Sequence, residues 1–282
     1  MKKNFDPIIY VEEDSFVIPE VGVWAIEKYQ LLGGYCDIFT KGMRAKWKNL
    51  VYLDLYSAAG YSKIRENGKV VKSSPLIALS IPTKFDKYIF CEENQELFSV
   101  LSKRIEKDRQ TSKIELFNVN CNLAIDQIKN SIPKYSTTNT VLSFCFLDPY
   151  DLSISFSTVK NLASGLVDFL ILQALHMDGN RNFRNYISEN NEKINNYLGR
   201  ENWRKQWEDS GLLPKDFVKF LADQYDENMK ALGYLTAKRH LIKLPSKNVP
   251  LYYLTFYSKH KTGLDFFEKV DDYSTPQLNF GL

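Results

Sequence analysis

Histidine is nearly missing from this 282-residue chain, which has three, and its four cysteines include no C-x-x-C pair. His176, His240 and His260 are scattered. Neither an H-E-x-x-H helix nor a cysteine–histidine set at ligand spacing exists, so no metal site is expected. Cys36, Cys91, Cys121 and Cys145 lie far apart, three of them in or beside apolar runs; this reads as buried free thiols in a reducing compartment. No apolar run reaches the roughly 18 residues that a membrane span needs. The opening Met1-Lys2-Lys3-Asn4-Phe5-Asp6 turns acidic at Glu12-Glu13-Asp14, where a secretory leader would be apolar, so a cytoplasmic location without membrane contact is expected. Also lacking are G-x-G-x-x-G, a P-loop lysine and a G-x-S-x-G elbow, which argues against dinucleotide, NTPase and hydrolase chemistry.

What is present suits a globular chain: 44% hydrophobic and 25% charged residues, with a net charge of only +3. The charge is unevenly spread. Between Glu227 and Asp265 no acid occurs, while Lys230, Lys238, Arg239, Lys243, Lys247, Lys259 and Lys261 all do. A second acid-free window, between Asp37 and Asp54, carries Lys41, Arg44, Lys46 and Lys48 around Trp47. If the windows converge they form a surface able to neutralise phosphates; otherwise they are two unrelated solvated faces.

Residues 20–46 show helical spacing, with Gly33-Gly34 as a candidate break. Five aliphatic and aromatic runs follow, at 50–55, 87–91, 114–119, 141–147 and 166–172, each of strand length. Amphipathic stretches separate them at 75–80, 95–107, 123–131 and 157–163. Such alternation predicts a parallel sheet with helices on both faces. The polar stretch 181–232, with Trp203 and Trp207 and with Gly211 and Pro214 as breakers, reads as a helical insertion. Runs 235–244 and 251–258 then predict an antiparallel pair, and 264–270 a closing helix.

This order resembles the class I methyltransferases. The expected fold is therefore α/β, Rossmann-like, with a mostly parallel seven-stranded sheet. Four regions are expected: an N-terminal helical segment (1–48), the cofactor-binding core (49–180), the helical insertion (181–234), and closing strands with a C-terminal helix (235–282). The strand tips carry the candidate site. Asp54, Tyr56, Ser57, Ala58 and Gly60 form an acid followed by a tight turn of small residues, where backbone can approach a ligand closely. In a methyltransferase the methionine part of S-adenosylmethionine lies over this turn. Glu92, ending the second strand, is placed to accept ribose hydroxyls. It lies farther from Gly60 than the usual spacing of about twenty, so the loop before Ser74 is read as an insertion, with Ser74 as a cap and Pro75 in the first helical turn. Asn120, Cys121 and Asn122 end the third strand, where Asn120 can accept from an adenine amino group.

Asp148-Pro149-Tyr150 ends the fourth strand and resembles the D-P-P-Y motif of nucleic-acid amino-methyltransferases, with the second proline missing. In that motif the acid accepts from the target amino group and the ring stacks on an extruded base. Arg181, Asn182, Lys238 and Arg239 are candidate substrate contacts. The tips taken together with Lys28-Tyr29-Gln30-Leu31-Leu32, Ser74-Pro75-Leu76-Ile77-Ala78-Leu79, Leu251-Tyr252-Tyr253-Leu254 and Lys261-Thr262-Gly263 resemble the three-Cys-motif partner (TcmP) family. That family more often has glycine at Ala58 and aspartate at Asn120. The resemblance implies S-adenosylmethionine as cofactor, a three-cysteine radical-enzyme-like partner encoded nearby, and a phage-defence or mobile-element setting. Three functions stay open: methylation of a nucleic acid amino group, methylation of a small molecule or protein, and a catalytically silent scaffold.

Overall fold

The computed structural model describes residues 5–107, 113–179, 181–188, 190–236 and 239–274. Two short strands, β1 (Tyr10–Val11) and β2 (Glu20–Val21), precede helix α1 (Ala25–Met43). Strand β3 (Asn49–Asp54) leads into a hairpin of β4 (Tyr61–Ile64) and β5 (Val70–Lys72). Helices and strands then alternate through α2 (Ser74–Ser80), β6 (Lys87–Cys91), α3 (Gln95–Lys107), β7 (Lys113–Phe117), α4 (Ile125–Ser131), β8 (Val141–Leu147), α5 (Phe156–Leu162) and β9 (Val167–Gln173). After a π-helical turn at Leu175–Gly179 come α6 (Phe183–Ile187), α7 (Lys193–Leu198), α8 (Trp203–Asp209) and α9 (Phe217–Ala231). Strands β10 (Leu235–Thr236), β11 (His240–Leu244) and β12 (Val249–Ser258) precede α10 (Lys261–Ser274).

The main sheet runs β10-β12-β9-β8-β3-β6-β7, with β11 paired to β12. Five strands are parallel, and β12 lies antiparallel to β9. The fold is thus the expected mixed α/β one with a mostly parallel sheet. Because β3 comes first and sits between β6 and β8, the order reverses beside it. That reversal opens a crevice at the carboxyl ends of β3 and β8.

Alternate residues of each strand feed two cores. Val51 and Leu53 pack with α4, α5 and the helices of 183–231, while Leu50 and Tyr52 pack with α1, α2, α3 and α10. Trp203, Tyr197, Phe217 and Tyr225 share the first of these cores, so the inserted helices complete the cover of one sheet face.

Two expectations change. Residues 20–46 are a strand followed by a helix, and α1 runs unbroken through Gly33-Gly34. The glycines serve close packing: an added Cβ at Gly34 would lie 2.7 Å from Val270 Cγ1, and one at Gly42 2.5 Å from Phe266 Cζ, both on α10. The stretch before Ser74 is an ordered hairpin. It joins the N-terminal strands in a second sheet of order β1-β5-β4-β2, over a small core of Ala25, Tyr29, Ile64, Val71 and Ile77.

Candidate active site

The parallel register brings the strand tips to one edge, since Asp54 is aligned with Phe90 and Phe146, each two residues short of Glu92 and Asp148. Asp54 is fully buried, and burial pushes its pKa up to about 7. A bond from the Ser74 side chain and one from the Tyr56 N–H (3.2 Å) oppose that rise. Ser74 therefore faces Asp54 and does not cap α2, whose N-cap position is held by Ser73.

Past Asp54 the chain turns sharply. The Ser57 hydroxyl donates to the Asp54 carbonyl at 2.8 Å, and Ala58 and Gly60 take φ of +50° and +84°. At Gly60 a side chain would also meet Leu76 Cδ1 at 2.9 Å. At Ala58 the left-handed backbone is one that glycine adopts more readily than any residue with a Cβ.

Glu92 braces this turn, accepting from the Ala58 N–H through Oε2 and from the Asn94 N–H through Oε1, both at 2.8 Å. Asn120 donates to Glu93 at 3.0 Å, and its Oδ1 accepts from the Asn122 N–H at 2.9 Å. One lone pair of that oxygen stays open. Cys121 is buried, which raises its thiol pKa to about 11. Asn122 staples the loop after β8, donating to the Ser153 carbonyl and accepting from the Ser155 N–H and the Thr158 hydroxyl.

At the tip of β8, Asp148 receives a bond at 2.5 Å from the Lys28 ammonium, which reaches it from α1. Burial works against the lysine's charge, but the facing carboxylate outweighs it and raises the Lys28 pKa. Pro149 is buried, whereas the Tyr150 ring is 81% exposed. The loop is tied down beyond it, where Asp178 of the π-helical turn accepts from the Leu152 N–H at 3.1 Å and Lys193 pairs with Asp151.

The Ala58 turn and the Asp148 tip open on a cavity of about 310 Å³, at the lower end of the ~300–1,000 Å³ of small-molecule sites. From the strand tips and the turn come Tyr56, Ala58, Ser73, Ser74, Asp148, Pro149 and Tyr150; Trp24, Lys28, Tyr29, Ser62, Arg65 and Tyr252 complete the lining. The second sheet thus forms a wall that the sequence reading treated as a loop. Glu92, Asn120 and Asn122 lie at the same edge outside this cavity.

The candidate substrate residues do not gather there. Arg181 is exposed, and Asn182 bonds Asp178 at the start of α6. Arg239 is held by Asp223 (2.7 Å) and Asp226, and Lys238 lies outside the described residues. The basic windows converge only in part. Lys46, Trp47, Lys259 and His260 line a cavity at the opposite edge of the sheet, while Lys41 and Arg44 pair with Asp37 and Asp86. Among the described residues no cluster of histidine, cysteine and acids could hold a metal, and no helix is long and apolar enough to cross a membrane.

No family model matches the chain, and no curated protein does. The resemblance to three-Cys-motif partners thus gains no support from them. Solved structures are similar in fold. Protein LPL1258 from Legionella pneumophila str. Philadelphia 1, described under the family model DUF519, is 11% identical over 88% of this chain and 92% of its own, with a TM-score of 0.53. An O-methyltransferase from Bacillus cereus in complex with SAH is 10% identical over 80% of each chain, with a TM-score of 0.46. Magnesium protoporphyrin IX methyltransferase from Synechocystis, with bound SAM, is 9% identical over 84% and 85%, at 0.41. At such identities likeness speaks to fold alone, and the two scores below 0.5 carry no argument.

Sequence reasoning did not single out Lys28, Ser73 or Tyr252 as site residues. A signal existed for the first: Lys28 falls in the buried stripe of α1 marked by Ala25, Leu32, Cys36 and Phe39, where a lysine needs a partner.

Proposed function

We propose that the chain is an S-adenosylmethionine-dependent methyltransferase acting on an amino group of a nucleic acid. The observation that carries this reading is the Asp148-Pro149-Tyr150 tip, opening into the same cavity as the Ala58 turn. Its shielded carboxylate is an acceptor, and the ring two residues on is exposed at the rim, as a stacking platform for an extruded base requires. The donor set fits the cofactor. The small left-handed Ala58 and the Ser73 hydroxyl, which is buried without a partner, would hold the amino-acid part, with the buried Asp54 bracing the turn beneath through the Tyr56 N–H and with Glu92 and Asn120 toward the nucleoside. When bound, that group supplies a methyl on a sulfonium. The protein orients the acceptor nitrogen through Asp148, with the Lys28 ion pair holding that carboxylate in place.

A second reading, methylation of a small molecule, draws on the ion pairs that occupy Arg44, Lys41 and Arg239. The test is calorimetry with S-adenosylhomocysteine, followed by transfer of labelled methyl to RNA and DNA at 50 and 200 mM salt. Cofactor heat with transfer that falls as salt rises supports the nucleic-acid reading. Cofactor heat with no transfer to either polymer favours the small-molecule one, and no heat at all removes both.

A further inference from the structure

Two buried hydroxyls in this cavity have no partner: those of Ser73, 3% exposed, and Tyr252, 4% exposed. A buried polar group left unpaired costs stability; buried atoms of Asp37, His176, Tyr197, Gln206, Tyr225 and Arg239 are unpaired too, but among the described residues only Ser73 and Tyr252 combine that with a place in the cavity wall. The two orphans stand at different places in the cavity. Ser73 follows β5, and its N–H is bound to the Gly60 carbonyl (2.8 Å), so it belongs to the turn assigned above to the cofactor. Tyr252 comes from β12 of the main sheet, lines the cavity with Lys28 and Asp148, and stands near enough to feel both charges. Beside Tyr252 the lysine and aspartate cancel, which disfavours both anions and cations as the occupant. The surrounding rings of Trp24, Tyr29 and Tyr150 favour a flat one.

We propose that Tyr252 selects the substrate: the cavity takes a heteroaromatic ring with an amino group beside a ring nitrogen, the amino group donating to Asp148 and the nitrogen accepting from the Tyr252 hydroxyl. Adenine, cytosine and, through its 2-amino group beside N3, guanine carry that pair, whereas uracil has no amino group. The assignment rests on the methyltransferase reading and names the base recognised within it.

The experiment measures binding of fluorescent ten-nucleotide strands of adenylate, cytidylate and uridylate to the full chain, with and without S-adenosylhomocysteine, for the wild type and Tyr252→Phe. Adenylate or cytidylate should bind roughly ten-fold more tightly than uridylate, and Tyr252→Phe should erase most of that margin. The variant should melt at the same temperature as the wild type or higher, because it removes an unpaired buried hydroxyl. Equal binding of the three strands, a margin that survives in Tyr252→Phe, or a lower melting temperature with the margin intact would each overturn the proposal. Base preference is read without the cofactor too, so a protein that ignores S-adenosylhomocysteine but discriminates bases in this way loses the methyltransferase reading and keeps Tyr252 as a base reader.

Discussion

Two cavities of similar size, about 310 and 370 Å³, lie at opposite edges of one sheet, and each holds a shielded aspartate near a lysine. At the far edge every demand is met locally. Burial raises the Asp168 pKa to about 6, while bonds from Ser258 and from the Tyr35 hydroxyl at 2.9 Å satisfy the carboxylate. Lys259 donates to the Ala163 carbonyl at 2.6 Å, and Gly263 lets the start of α10 close over the acid. At the Asp148 edge the hydroxyls of Ser73 and Tyr252 go unanswered and the backbone at Ala58 is held left-handed. Between these two cavities volume therefore does not mark the site, since the larger is the self-sufficient one; unmet hydrogen bonds in the cavity wall do.

The contrast can be broken first at the acids. Lys28→Met leaves Asp148 without its partner and should cost about 3–5 kcal/mol in urea unfolding. Asp168→Asn keeps its hydroxyl donors and should cost only about 1–2 kcal/mol. Equal losses would end the distinction. Next is the seal of the far cavity: a Cβ at Gly263 would lie 2.4 Å from Ser258 Oγ and 3.1 Å from Asp168 Oδ2. Gly263→Ala should therefore cost about 1–3 kcal/mol in the same assay, through overpacking.

A third test uses pH. His240 lies between Asp271 (2.5 Å) and Glu27 (2.7 Å), joining β11 to α10 and to the first turn of α1. Burial pulls its pKa down, but bonds to the two carboxylates prevail and hold it at about 9, above the ordinary 6.5. A folded pKa above the unfolded one means the stabilisation is whole below pH 6.5 and is lost as pH rises through 9. Denaturation midpoints should decline across that window, and His240→Gln should flatten the decline. The smallest effect is expected at Ala58, where Ala58→Gly should raise stability by about 0.5–1 kcal/mol, the left-handed penalty less glycine's extra unfolded freedom. A thermal-melting series showing a loss there would contradict the strained turn.

How much of this was legible in the sequence follows from how local each feature is. Val141 to Leu147 is an apolar strand interrupted only by Ser143 and halted by Asp148, and that run with its four counterparts sufficed to place the sheet and its carboxyl edge. The same locality exposed the Asp54-to-Gly60 turn. The second sheet was hidden because two-residue strands such as Tyr10–Val11 have no period to read and exist only through partners at Val70 and Val71. Lys28 and Asp148 are 120 positions apart, and Tyr252 is farther still, so nothing in their neighbourhoods announces that they meet. Arg239 was misread for the converse reason: a cation in an acid-free window looked available, but its acids, Asp223 and Asp226, are supplied by α9 just upstream of that window.

The seam between α1 and α10 has a consequence for how the molecule is made. Gly34 and Gly42 are bare so that Val270 and Phe266 can seat against them, and α1 is the rod on which Lys28 is mounted. A ribosome releases that rod more than two hundred residues before the helix that clamps it. Until α10 is made, the face of α1 that Gly34 and Gly42 leave bare has nothing to seat against it, although every strand of the main sheet has by then been synthesised.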